Sequence, residues 1–179
     1  PIESYVGTAM VQPNYQVTAG GLACAFTGNA PQGSGAGTND VDGGLTTLLS
    51  PVYDLTAYTN PAFSYYRWYS NDQGATPGTD YWQVSISNDN GNTWVPVEYT
   101  NVSDHSWRRV ALRVSDYVTP TSQTMIRFIG EDAGPGSLVE GLMDDLVLWD
   151  LDPNSINDNV VNELPASVYP NPEIGRAHV

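Results

Sequence analysis

Positive charge is scarce in this chain: six Lys+Arg stand against 20 Asp+Glu, giving a formal net charge of −14 over 179 residues. A surface of that sign repels phosphate backbones and anionic lipid, which argues against nucleic acid and membrane-surface partners. Long apolar runs are missing as well; no stretch approaches the roughly 20 apolar residues that insert as a membrane helix. Cysteine is limited to Cys24, in the apolar stretch LACAF, so no internal disulfide forms and the residue reads as a quietly buried thiol. Histidine is limited to His105, in a turn-like segment, and His178 in the tail, so no nucleophile and base pair is legible. Helical periodicity is nearly absent. The opening PIESYVGTAM lacks the basic and apolar regions of a signal peptide and an initiating Met, and reads as the start of a piece of a longer protein.

What is present is period-2 alternation between turns rich in Gly, Asn, Asp and Pro. It predicts strands over about 21–27, 45–55, 62–70, 81–88, 94–100, 107–114, 124–131 and 138–151. The chain is therefore expected to be all-β, a two-sheet antiparallel jelly-roll sandwich of about eight strands, since two half-apolar sheets must stack to hide their faces. In YWQVSIS, Trp82, Val84 and Ile86 share the core face. In WRRVALRV, Val110, Leu112 and Val114 point inward, with Arg109 and Arg113 outward. FSYYRWYS is aromatic on both faces: Phe63, Tyr65 and Tyr69 beside Arg67 on one, Tyr66 and Trp68 on the other. That pattern predicts a central strand with the core behind it and a long loop or a partner in front. The same rings offer a sugar-stacking platform, with Tyr66, Trp68 and Tyr81 as its candidates.

Acidic residues gather in three places. In SNDNGNTW, Asp89 accepts turn amides, Gly91 takes positive φ and Trp94 folds back, so Asp89 reads as a turn former. In GAGTNDVDGG, Asn39, Asp40 and Asp42 precede two glycines that let oxygens converge without Cβ crowding, a partial Ca²⁺ loop without EF-hand spacing. In SLVEGLMDDLVLWD, strict alternation places Glu140 and Asp144 with Leu142, Leu146 and Leu148, and Asp145 with Met143, Val147 and Trp149. One carboxylate of the pair would then face the core and need a cation, an Arg or several amides. A structural Ca²⁺ held by Asp40, Asp42, Asp144 and Asp145 is the expected answer. Asn39, Asn71, Asp72 and Glu140 are weaker ligands. The alternative pairs Asp144 with Arg67 or Arg127 and leaves NDVDGG an ordinary acidic turn.

Taken together, the strands and motifs from about 22 to 151 resemble the jelly-roll, MAM-like or galactose-binding-like sandwiches that accompany secreted bacterial peptidases. The Asp89 turn resembles the Asp-box of sialidases and other secreted β proteins. This resemblance implies a noncatalytic accessory or adhesion module, stabilised by calcium between an early loop and the last strand, with an upstream catalytic domain of the same chain as partner. No His-Glu-x-x-His or His-x-x-Glu zinc motif is present, so no catalytic residue is assigned. A carbohydrate-binding module and a glycoside hydrolase with paired carboxylates are the alternatives; a glycan or an extracellular protein is the external partner.

The tail resembles something else. After a sandwich over 1–151 and a polar linker over 152–166, SVYPNP (167–172) looks like the start of the sorting domain used by the type IX secretion system of Bacteroidota. Residues 173–179, ending IGRAHV, resemble a translated sequencing adapter. The resemblance implies a secreted or cell-surface protein exported across the outer membrane of a Gram-negative bacterium.

Overall fold

The computed structural model describes residues 1–29, 31–38, 43–134 and 136–151, and over them the period-2 pattern becomes strands. A hairpin opens the chain, β1 (Ser4–Val6) against β2 (Ala9–Gln12). There follow β3 (Ala25–Phe26), β4 (Gly44–Leu49), β5 (Pro61–Gly74), β6 (Trp82–Ser87), β7 (Val95–Thr100) and β8 (Arg108–Arg113). A 3-10 turn (Val114–Asp116), β9 (Met125–Asp132) and β10 (Ser137–Asp150) complete the order. Two four-stranded sheets result, β3-β10-β5-β8 and β4-β9-β6-β7. Their pairings are all antiparallel, and the sheets stack as a jelly-roll-like sandwich. The expected strand at 21–27 shrinks to the two residues of β3. The one at 45–55 ends with β4 and continues only as a bridge between Tyr53 and Thr124.

Between the sheets lies the core that the alternation marks out. Trp82, Val84 and Ile86 of β6 meet Phe63, Tyr65 and Tyr69 of β5 and Val110 and Leu112 of β8. Tyr65 meets Phe128 edge-on at 5.0 Å, and Trp82 lies over Gly141, where any Cβ would come within 3.0 Å of the indole. The turn after β6 is built as its sequence requires. Asp89 accepts the Thr93 amide at 2.8 Å and hydroxyls of Thr93 and Ser87 at 2.6 and 2.7 Å, while Gly91 takes φ +82°. Those bonds, Thr93 first, pull the Asp89 carboxyl down to about 2.

Strict alternation fails in β10. Asp145 adopts φ +49° at a register shift between Asp144 and Val147, a bulge that turns the rest of the strand over. Before the bulge, Leu142 faces outward, opposite Trp68. Met143, Leu146 and Leu148 pack on the main core, so Leu142 is separated from the leucines with which alternation grouped it. Neither carboxylate of the pair enters the core, because the extra residue lets both reach the segment in front of the sheet. Asp144 accepts the Val17 amide at 3.0 Å, and the Thr18 hydroxyl donates to Asp145.

That segment, residues 1–24, is the loop in front of β5. It covers a second cluster of Tyr66, Trp68, Trp107 and Leu142 with Met10, Val17 and Cys24. Trp68 donates through Nε1 to the Val11 carbonyl at 2.8 Å, and Tyr15 stands edge-on to its ring at 6.2 Å. Cys24 is half-buried there rather than fully so, and burial pushes its thiol up.

Candidate functional site

The aromatic residues named from sequence divide by position. Trp68 is 1% and Tyr66 7% exposed beneath residues 1–24, so their rings are taken up by protein contacts. Tyr81 is different. It immediately precedes β6 and stacks on Tyr99 of β7, with ring centroids 4.3 Å apart and an interplanar angle of 21°. Tyr99 is 61% exposed and stands on the outer face of the second sheet. Beside the pair, Gln83 donates to Glu131 at 2.6 Å. Desolvation and then the Glu131 carboxylate and Tyr81 hold the Tyr99 phenol above its ordinary value, so it remains a neutral hydroxyl at physiological pH. Sequence reading missed Tyr99 because YT closes β7, whose alternation is broken by an extra residue between Pro96 and Glu98, opposite Ser85 and Val84 of β6.

Around the edge from Tyr99, the sandwich opens. β7 and β8 are the outermost strands of their sheets on this side, and between them runs a cleft of about 390 Å³. Its floor is charged. Arg67 projects inward from β5 and donates through Nε to Glu98 Oε1 at 2.7 Å, while the Tyr65 hydroxyl donates to Glu98 Oε2 at 2.8 Å. Arg67 Nη1 also donates to Asp104, whose other oxygen pairs with Arg108. The rim is apolar, with Val97, Tyr99 and Val102. The connection between β7 and β8 is pinned behind the cleft: the Asp104 amide donates to the Tyr69 carbonyl at 2.8 Å, and the Ser103 hydroxyl accepts from the Asn71 amide at 2.8 Å. Arg67 is thus the partner of Glu98 and Asp104, not of Asp144, and Arg127 lies over the Trp94 ring at 4.4 Å.

The metal candidates are also separated. Asn39, Asp40 and Asp42 lie outside the described residues. Asp144 and Asp145 are engaged by Val17 and Thr18 as above. Asn71 is a turn organiser: it donates to the Tyr69 hydroxyl at 2.8 Å and accepts the Gly78 amide at 2.7 Å. Asp72 faces His105 at 2.9 Å. Glu140, buried at 6% exposure, is the member with an oxygen-rich environment. One end of the buried Gln12 amide lies 2.9 and 3.1 Å from its two oxygens and 3.2 Å from the Gly28 carbonyl oxygen. With its nitrogen at that end, the Gln12 amide donates to all three. A small void bounded by Glu3, Gln12, Ser34 and Glu140 adjoins this point. Of the metal candidates, Glu140 is the carboxylate that borders this void. Among the described residues, no three His, Cys, Asp or Glu side chains group as a metal cluster, and no helix is long and apolar enough to cross a membrane.

Fold and geometry together define an antiparallel β-sandwich with a stacked tyrosine pair, Tyr99 exposed, beside an edge cleft. No family model matches the chain, and no curated protein does. Among solved structures, TmCBM61 in complex with beta-1,4-galactotriose is similar at 13% identity and a TM-score of 0.33. The match covers 60% of this chain and 61% of that one, less than two thirds of its length. At that distance, the architecture and the site rest on their own geometry.

Proposed function

We propose that this sandwich is a noncatalytic accessory module of a secreted protein and that it binds a saccharide on the Tyr81–Tyr99 face. The stacked pair with Tyr99 exposed carries this reading. A flat apolar surface in water is costly unless something covers it, and the C–H face of a sugar ring stacks on such a surface while its hydroxyls reach the polar groups alongside. The resemblance of strands 22–151 to peptidase-associated sandwiches supports the accessory role and an upstream hydrolase as partner. Export through the type IX route rests on SVYPNP, outside the described residues.

The test is affinity electrophoresis and titration of the chain against neutral and acidic polysaccharides, with Tyr99→Ala beside it. Loss of a central aromatic contact costs on the order of 2 kcal/mol, roughly 30-fold in Kd, while an exposed ring contributes little to folding. Y99A should therefore weaken binding by about that factor with its melting temperature unchanged. Retention of full affinity by Y99A would remove the pair from the site.

Calcium is a second reading, supported by the Glu140 carboxylate at the void beside Ser34 and Thr38, next to the segment that leads to Asp40 and Asp42. In this reading the ion ties residues 1–38 to β10 and takes no part in ligand chemistry. Calcium at a hundred times its Kd stabilises by about 2.7 kcal/mol, so the wild-type melting temperature should rise with Ca²⁺ and fall with EDTA. Glu140→Gln and Asp42→Ala should melt alike in both. Identical wild-type melting in Ca²⁺ and EDTA rules the ion out.

A further inference from the structure

We propose that the cleft between β7 and β8 is a pocket for one uncharged, hydroxyl-rich ring, with Arg108 as its outward donor; this rests on the saccharide reading and extends it from the tyrosine face to the sheet edge. Arg67 and its partners lie on the inward face of the sandwich, with side chains of Arg67, Glu98 and Asp104 exposed by only 5%, 6% and 5%. Burying a charged network gains little over well-packed apolar residues. Such a network beside an open cleft is instead suited to holding polar groups in fixed positions. At about 390 Å³, the space is within the range of small-ligand pockets.

The network also indicates the ligand's chemistry. Both Glu98 oxygens are occupied, one by Arg67 and one by Tyr65, and both Asp104 oxygens by the two arginines. Each of these carboxylate oxygens thus already has one protein donor. Arg108, whose side chain is 28% exposed, pairs with Asp104 and lines the cleft, and its guanidinium carries further N–H donors. A ligand group that meets this guanidinium accepts hydrogen bonds. It need not be an anion: within the cluster two guanidinium charges meet two carboxylates, and a molecule of net charge −14 repels an acidic polymer. Sugar hydroxyls accept from a guanidinium without that penalty. Val97, Val102 and Tyr99 at the rim then meet the C–H surface of the ring, which matches a pocket with a polar floor and apolar lips.

The experiment titrates the full chain with neutral galacto-, gluco- and manno-oligosaccharides and with a uronate oligosaccharide, following the Arg Nε–Hε resonances by NMR. A neutral sugar should shift the Arg108 resonance saturably, bind equally well in low and high salt, and lose about tenfold affinity or more to Arg108→Met, with R108K intermediate. Melting curves run alongside separate lost binding from lost fold, and the NMR readout on the unaltered chain needs no variant. If Y99A loses binding while R108M binds as wild type and the Arg108 resonance stays fixed, the pocket is wrong and the tyrosine face stands. Tighter, salt-sensitive binding of the uronate overturns the uncharged class. Binding of no saccharide by the wild-type chain overturns both this inference and the reading beneath it.

Discussion

Arg67 occupies a position where the alternation of β5 asks for an apolar side chain, between Tyr65 and Tyr69 on the core-facing side. Its sequence neighbours place it on the right face; its partners come from β7 and the segment after it, 31 and 37 residues away, which no periodicity links. His105 is a second residue whose role emerges only in three dimensions. Its φ is +49°, and the ring bridges the Met10 carbonyl at 2.8 Å and the Asp72 carboxylate at 2.9 Å, clipping the opening hairpin to the first sheet. Burial opposes its protonation, but the hydrogen bonds its ring donates to Asp72 and to the Met10 carbonyl, with the negative charges of Asp72 and Asp104, outweigh it and raise its pKa above 6.5. For Asp72 burial again opposes, and the bonds from His105 and Gln73 prevail and lower it below 3.8. A raised histidine contributes stability that is complete below its unfolded value and is lost as pH rises through the folded one; a lowered aspartate contributes above its unfolded value and loses it on acidification. The clip is thus strongest between about 3.8 and 6.5. His105→Asn, which tolerates the left-handed backbone, should flatten the fall in melting temperature between pH 6 and 8 relative to wild type. Parallel profiles would show that the ring does not titrate with folding.

At the scale of elements, the strands were legible because each carries its own alternation, and the central place of β5 was legible because both of its faces are apolar. What covers the outer face was not. Residues 1–24 contain only the short strands of the hairpin and no long period, yet they bury Trp68 and receive its indole hydrogen bond. The sugar-stacking expectation for Tyr66 and Trp68 and the structural one compete for the same rings, and burial favours the second. Trp68→Ala should accordingly destabilise by about 3–5 kcal/mol, as removal of a buried aromatic does. Urea unfolding measures it, and a cost below about 1 kcal/mol would mean that residues 1–24 do not hold that face in solution. The β10 bulge escaped for a different reason. Two adjacent acids in an apolar strand are compatible with strict alternation, and only the left-handed turn at Asp145 decides that both leave the core.

For the whole molecule, the acidic balance that argued against nucleic acid also shapes the proposed ligand, and the aromatic content that suggested sugar binding points to a different pair of rings. Tyr81 was legible from its place beside Trp82. Tyr99 became visible only when antiparallel pairing of β6 and β7 set Gln83 opposite it and brought Tyr81 onto its face. The central claim, that this module's ligand is a saccharide seated around Tyr99, has a direct test. Backbone amide spectra of the isotope-labelled chain are recorded as a bound oligosaccharide is added. Saturable shifts are expected only at Tyr81–Gln83, 97–102 and Arg108, with residues 1–24 undisturbed. Shifts centred on residues 1–24 and Trp68, or none for any saccharide class, would contradict that claim.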